Sequence, residues 1–253
     1  MRRLVDGPSV ADVLDPYRDV DRVRAGGGCW VLANMVGGLD GSAAVGGRVG
    51  ALTGGADAEL FRRLRALADV VLVGAQTVRA EGYGPVRLSD DLRAERVAAG
   101  RPPVPPVAVV SRSCLLDWSA PLFTDAEPGS RTMVLTGAAG AEAVGTGTAD
   151  VDLLVVPDAS PDGAVGPPAL LAALADRGHD IVLCEGGPML LGELVAAGRL
   201  DELCLTLAPV VGGDPLPIVT TVAGMALRRF SLCHAATDDG SLFLRYEAAR
   251  DEH

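Results

Sequence analysis

The 253-residue sequence predicts an α/β fold, a mostly parallel sheet with helices on both faces and antiparallel strands at the C-terminal end. Three observations carry this. The short runs Val70–Gly74, Val107–Val110 and Ile181–Cys184 are apolar without alternation, the character of strands covered on both faces. Helical segments separate them, and a repeated β-α-β order argues parallel pairing. The last run, Leu242-Phe243-Leu244-Arg245-Tyr246, alternates as an antiparallel edge strand would.

Residues 1–28 are interrupted by Pro8, Pro16 and Gly26-Gly27-Gly28 and read as an N-terminal arm packed on a single domain, 29–253. Trp30–Gly37 reads as a buried strand, broken by the turn chemistry of Leu39-Asp40-Gly41. After a Gly-rich loop, Asp57 has the character of a helix N-cap. Leu60, Phe61, Leu64, Leu67 and Ala68 then form one helix face. At roughly 100° per residue, Arg62 points away from that stripe, whereas Arg65 falls about 40° beyond Phe61, at its edge. Gln76–Glu81 is a helical turn, Gly82-Tyr83-Gly84-Pro85 a loop and Asp90–Ala99 a surface helix. Four prolines between Pro102 and Pro106 stiffen the approach to Val107–Val110. Met133–Thr136 and Leu153–Val156 are further strands, with a weak Ala/Gly-rich helix over Gly137–Gly147 between them. A helix over Leu170–Arg177 stops at Gly178. Ile181–Cys184 runs into Glu185-Gly186-Gly187-Pro188 and a helix over Met189–Ala197, with Pro inside its start and Gly198 past its end. Leu203–Leu207, Ala226–Leu232 and Leu242–Tyr246 close the chain as strands.

Composition narrows the function. Apolar residues make up 49%, enough for a sizeable core. The formal charge of −11 repels phosphate backbones, and 4% aromatics make poor stacking platforms, so nucleic acid is not an expected partner. All 22 basic residues are arginine, which excludes a Walker lysine, a pyridoxal Schiff base and a lysine nucleophile. The five cysteines are scattered without a C-x-x-C, so neither a disulfide framework nor a zinc site is expected. His179, His234 and His253 are dispersed and lack a local partner, so no metal is expected. With no signal peptide and no apolar stretch long enough to span a bilayer, the expected setting is cytoplasmic, away from membranes.

The candidate chemistry gathers at strand ends. Glu185-Gly186-Gly187-Pro188 joins a strand to a helix. Its glycines let a phosphate approach the backbone, and the first-turn amides of the helix point at it. Taken alone, the same residues also read as a tight βα turn. Glu185 is placed to hydrogen-bond another part of a ligand. Gly74-Ala75-Gln76-Thr77 and Val110-Ser111-Arg112-Ser113 are two more polar strand ends, and Arg112 beside Ser111 suits a phosphate.

Three segments together resemble the riboflavin-pathway pyrimidine reductases. They are Asn34-Met35-Val36-Gly37-Gly38-Leu39-Asp40-Gly41, the stretch Leu64–Arg79, and Glu185-Gly186-Gly187-Pro188 followed by Leu200–Leu203 and Ala208–Gly213. Coverage runs over roughly residues 29 to 247. Gly38 stands where the family usually has Ser, and Gly82–Arg87 departs from its commoner Asp-Asp-Pro form. The resemblance implies a dihydrofolate-reductase-like fold and a stand-alone homodimeric reductase. It implies that NADPH reduces a phosphorylated ribosylaminopyrimidine to the ribitylamino form. Alternatives are reduction of another C=N substrate such as dihydrofolate, and a non-catalytic NADPH-binding module. By resemblance, Val36, Thr77, Glu81, Ser111 and the stretch Gly187, Pro188, Met189 and Leu190 contact NADPH. Gly186 joins them through the turn, and Arg112 is the candidate for the 2′-phosphate. Arg65, Glu185 and Arg87 contact substrate, with the substrate phosphate expected on Arg65. Asp40 or Glu185 could deliver a proton.

Overall fold

In the computed structural model, residues 12–24, 26–144, 151–157 and 163–249 are described. The first eleven residues of the arm, the end of the Gly137–Gly147 segment and His253 lie outside them. Nine strands form one sheet in the order β5-β4-β3-β2-β6-β1-β7-β9-β8. They are β1 (Trp30–Gly38), β2 (Val70–Gly74), β3 (Val107–Val110), β4 (Met133–Thr136), β5 (Asp152–Val155), β6 (Ile181–Cys184), β7 (Glu202–Ala208), β8 (Phe230–Asp238) and β9 (Ser241–Ala248). β1 to β7 pair in parallel, and β9 and β8 add antiparallel strands beside β7.

The helices are α1 (Asp15–Arg18), α2 (Gly55–Leu64), α3 (Ala75–Glu81), α4 (Asp90–Ala98), α5 (Pro121–Thr124), α6 (Ala138–Val144), α7 (Pro167–Ala175) and α8 (Pro188–Ala196). Strand period 2 divides their packing. Trp30, Leu32, Val71 and Val73 face one core with Leu60 and Leu64 of α2. Val31, Ala33, Val70 and Leu72 face the other with Leu170 and Leu174 of α7 and Leu191 and Leu194 of α8. Both faces of the parallel strands are therefore covered, which is why their sequences do not alternate.

Two sequence-based expectations shift. The strand expected over Ala226–Leu232 lies at Phe230–Asp238. Asp239 and Gly240 both take positive φ, forming a two-residue hairpin turn that draws the pairing up to Asp238↔Ser241. β9 is consequently an inner strand, and β8 is the edge. Asp57 is not a cap either. α2 starts at Gly55 with Gly54 as its N-cap, and the Asp57 side chain is buried within the first turn.

The described part of the arm packs on the sheet. Leu14 and Tyr17 are buried in the α2-side core. Arg22 then donates Nε and Nη2 to the two oxygens of Glu202 at 2.9 and 3.0 Å. Arg245 Nε and Trp30 Nε1 donate to the same carboxylate at 3.0 and 3.2 Å. Glu202 is fully buried, so one carboxylate joins the arm, β1, β7 and β9 away from the surface. Removing one partner of such a group strands the others in low dielectric. Glu202→Gln should therefore cost about 3–5 kcal/mol, read as a lower denaturant midpoint with unchanged slope.

Candidate active site

β6 enters the sheet between β1 and β2, and their carboxyl ends open into a cleft of about 1290 Å³. Open α/β sheets bind ligands at such a position. A smaller hollow of about 520 Å³ lies at the opposite, amino ends of β3–β5, among Arg131, Asp152, Arg177 and His179.

Glu185, the residue after β6, stands in the middle of the cleft with its side chain 1% exposed. α2 ends at Leu64 and the chain tightens into a 3-10 turn over Arg65–Leu67, which turns Arg65 toward Glu185. Arg65 Nε and Nη2 donate to Oε1 and Oε2 of Glu185, each at 2.7 Å. Nη2 also donates to Tyr83 Oη at 2.9 Å. The guanidinium lies 4.3 Å from the centroid of the Phe61 ring and 5.4 Å from that of Tyr83. Burial works against the Arg65 charge, but the Glu185 carboxylate outweighs it and holds the guanidinium above its ordinary range.

One side of the cleft is built around the Gly186–Gly187 peptide, which is cis. Gly74 N–H donates to the Gly186 carbonyl at 2.8 Å, tying this turn to the end of β2. Gly187 caps α8 without any side-chain hydrogen bond, so the first-turn amides have no side-chain competitor. A Cβ on Gly187 would come 2.8 Å from Thr77 Oγ1. Thr77, Ser111, Arg112, Pro188, Met189 and Leu190 all line this side, and Val36 lines the floor. Ser111 is buried, and its hydroxyl accepts the Cys114 N–H at 3.1 Å.

The other side is formed by α2, the loop before it and the end of α3. Glu81 lines it, and Oε1 accepts the Val49 N–H at 3.1 Å, tying α3 to the loop. Asp214 holds the same loop by accepting the Gly46 and Gly47 amides at 3.0 and 2.6 Å. Asp57 lines this wall from α2, with the hydroxyls of Thr206 and Thr53 on its carboxyl. Burial raises the Asp57 pKa against the opposing pull of those hydroxyls. Asn34, on β1, lines the floor, and its Oδ1 is buried without a hydrogen-bond partner. Among the described residues, no group of three or more His, Cys, Asp or Glu could hold a metal ion.

Residues 29–241 match the RibD C-terminal domain family. The chain belongs to that family. A 2,5-diamino-6-ribosylamino-4(3H)-pyrimidinone 5′-phosphate reductase of Archaeoglobus fulgidus is 28% identical to it over 164 residues, 64% of this chain and 72% of the relative. A pyrimidine reductase-like protein of Corynebacterium diphtheriae superposes with a TM-score of 0.77 at 27% identity, covering 88% of this chain and 93% of that one. RibD of Acinetobacter baumannii shares the fold, with a TM-score of 0.67 at 23% identity over 88% of this chain. The chain spans 59% of that protein's length.

Within this RibD C-terminal domain, Glu81, expected to contact NADPH, lies on the wall opposite Gly187 and holds the Val49 loop, and two more expected site residues fall outside the cleft. Arg87 is exposed outside the cleft lining, against Glu127 and the Asp125 carbonyl, because the chain after Pro85 turns toward α5. Asp40 is also outside the lining. Its Oδ1 accepts the Ser42 hydroxyl and N–H, and its Oδ2 accepts the Gly212 N–H. The Ser42 hydroxyl and then the Gly212 amide hold its carboxyl well below the usual range, so it secures a turn and is a poor proton donor. Arg65 is in the cleft, but Glu185 and Tyr83 occupy the fork expected to hold a phosphate. Sequence reasoning missed Asn34, Phe61 and Asp57 as site residues. A signal existed: Asp57, Phe61 and Arg65 are spaced i, i+4, i+8 along one helix face, and Asn34 is the one polar residue within Trp30–Gly37.

The Arg65–Glu185 pair is buried, so Arg65→Met should leave a buried carboxylate unpaired and cost about 3–5 kcal/mol. Arg65→Met/Glu185→Met should recover most of that stability, because the second change removes the stranded charge. Denaturant unfolding of the wild type, Arg65→Met, Glu185→Met and the double variant checks this through the coupling energy.

Proposed function

We propose that the protein reduces a 5-amino-6-(5-phosphoribosylamino)pyrimidine to its ribitylamino form in riboflavin biosynthesis, with NADPH as the hydride donor. The observation that carries this reading is the cleft itself. It sets a glycine-lined helix N-terminus on one side of Glu185 and a polar and aromatic wall on the other, within a chain of the RibD C-terminal domain family. The Archaeoglobus relative, named for a pyrimidinone 5′-phosphate substrate, supports the substrate class.

The residues present fit a dinucleotide. Gly187 lets the turn lie close against Thr77, where a Cβ would press on the Thr77 hydroxyl, and the uncapped amides of α8 suit a pyrophosphate. Met189 and Leu190 present the first of those amides, Thr77 and Ser111 line the cleft with them, and Arg112, in the same lining, is the candidate for a 2′-phosphate. Bound there, the cofactor supplies a hydride. The protein's own part is placement. Glu185, fixed in orientation by Arg65, accepts hydrogen bonds from substrate hydroxyl or amino groups at the junction of the two sides. Tyr83 and Phe61 give the pyrimidine an aromatic border. Holding both reactants in register contributes most of what such a site can do for a hydride transfer.

The same reading places the enzyme in the cytoplasm, and no helix among the described residues is long and apolar enough to cross a membrane. It also makes the enzyme a homodimer. The edge strand β8 carries an exposed Leu232 opposite Tyr246 and β9 an exposed Leu242 nearer the turn, two apolar side chains that a symmetric contact would cover. Light scattering reads that state.

Purified protein should oxidise NADPH with the phosphoribosylaminopyrimidine, and not with dihydrofolate or without a second substrate. Turnover of dihydrofolate alone would refute the substrate assignment, and binding without any turnover would refute the enzyme. Gly187→Val should weaken NADPH binding by about tenfold or more, about 1.4 kcal/mol, in titration calorimetry. Unchanged affinity would move the pyrophosphate elsewhere.

A further inference from the structure

The floor of the cleft and the α2 wall beside it carry two groups, Asn34 and Asp57, that the placement of the substrate does not yet use. Asn34 is 8% exposed and its Oδ1 has no hydrogen-bond partner. A buried acceptor left without a donor costs stability, so natural structures leave one mainly where a ligand or water completes it. The β1–β6 register pairs Ala33 with Cys184, so Asn34 lies one residue beyond, level with Glu185 at the junction of the two sides. Even-numbered residues of β1 face α2, as Trp30 and Leu32 show by packing with Leu60 and Leu64. Asp57 is on that helix, 5% exposed, and it lines the same cleft.

The environment of Asp57 suits an acid. Against the burial that raises its pKa, the hydroxyls of Thr206 of β7 and of Thr53 of the preceding loop, the latter also 3.5 Å from the Val49 carbonyl, pull it down. Among the described residues, no cation acts on its electrostatics. From the arm, the Tyr17 phenol is near enough to feel the Asp57 charge, and Glu202, Cys204 and Arg245 act on that phenol as well. Burial raises the pKa of this carboxyl, the direction a proton donor needs. Of the other acids in and around the cleft, Glu193 is on α8, the opposite wall, where burial raises its pKa, and the remaining three are committed. Asp40 holds a turn, both Glu185 oxygens accept from Arg65, and Glu81 accepts a loop amide.

Resting on the reductase reading above, we propose that the reacting C=N group docks on this wall. There the Asn34 amide oxygen accepts an amino N–H of the pyrimidine, and the Asp57 carboxyl gives its proton to the reacting nitrogen. The step balances. The carbon receives a hydride with its electron pair from the nicotinamide donor, which leaves oxidised. The C=N π pair takes the Asp57 proton and becomes an N–H bond. Asp57 is left as a carboxylate and regains a proton from water in the open cleft. Asp57 is then a catalytic residue and Asn34 a binding one.

The test begins with wild-type turnover of the phosphoribosylaminopyrimidine, and its absence would sink the reductase reading rather than this assignment. Given turnover, Asp57→Asn should lower kcat about 100-fold, the usual span for a lost general acid. Its NADPH affinity and its pyrimidine affinity without dinucleotide, both read by calorimetry, should stay within about threefold. Asn34→Leu should instead weaken pyrimidine binding in that same dinucleotide-free titration by about tenfold, the loss of one buried hydrogen bond. If Asp57→Asn does not fold, Thr53→Val decides. The Thr53 hydroxyl favours the charged carboxyl, so its removal raises the pKa of the acid. Activity lost as that acid deprotonates would then persist to higher pH, shifting the basic limb of the kcat profile upward. A structural role for Asp57 would leave that limb in place. An unmoved limb, or a folded Asp57→Asn enzyme retaining more than about a third of wild-type kcat, overturns the assignment.

Discussion

Glu185 stands at the carboxyl end of a strand that is covered on both faces, where water cannot solvate a carboxylate. It can stay there because Arg65 brings two N–H donors to its two oxygens, and Arg65 can do so because α2 tightens into a 3-10 turn at that residue. The pair joins α2 to the middle of the sheet across 120 residues of sequence. Removing either charge alone would leave the other in low dielectric. The cost of burying both groups is offset by function only if Glu185 is needed at the junction of the cleft. Tyr83 and Phe61 against the guanidinium fix the fork further, so Glu185 is oriented before any ligand arrives.

The topology supplies the place. β6 returns between β1 and β2 after the chain has built β3, β4 and β5 toward one edge. Loops on the two sides of β6 therefore diverge at their carboxyl ends and leave a cleft between them. The buried Glu202 cluster does for the far half of the sheet what the Arg65 pair does for the cleft. It attaches the arm and the antiparallel strands to β1 through one carboxylate. Both devices use arginine. Its planar fork matches a carboxylate with two parallel bonds, which a lysine cannot do, and this chain has no lysine.

The parallel core was legible because burial on both faces leaves short uncharged runs such as Val70–Gly74 and Ile181–Cys184. The Gly186-Gly187 turn was legible because its residue types and its place between strand and helix agree. What sequence could not supply was direction. Asp57 has the residue type of a cap, but its carboxyl turns inward to Thr206, 149 positions away in sequence (206 minus 57), and only the folded sheet brings that hydroxyl near. Arg65 was placed correctly at the rim of the helix face, yet its partner is a carboxylate of the same protein rather than a phosphate. The Asp40 and Arg87 assignments rested on motif position. The structure places one in a turn with Ser42 and Gly212 and the other against Glu127. Strand β8 was misplaced because the Asp239-Gly240 turn, not the apolar run before it, sets its register.

The central claim is that one cleft takes two ligands on opposite sides of Glu185. Amide hydrogen exchange read by mass spectrometry, with each ligand added alone, tests it most directly. NADPH should slow exchange at the start of α8 and around Thr77, and the phosphoribosylaminopyrimidine should slow it across the loop before α2 and around Tyr83. Protection by either ligand confined to the hollow around Arg131 and His179, at the other end of the strands, would contradict the account.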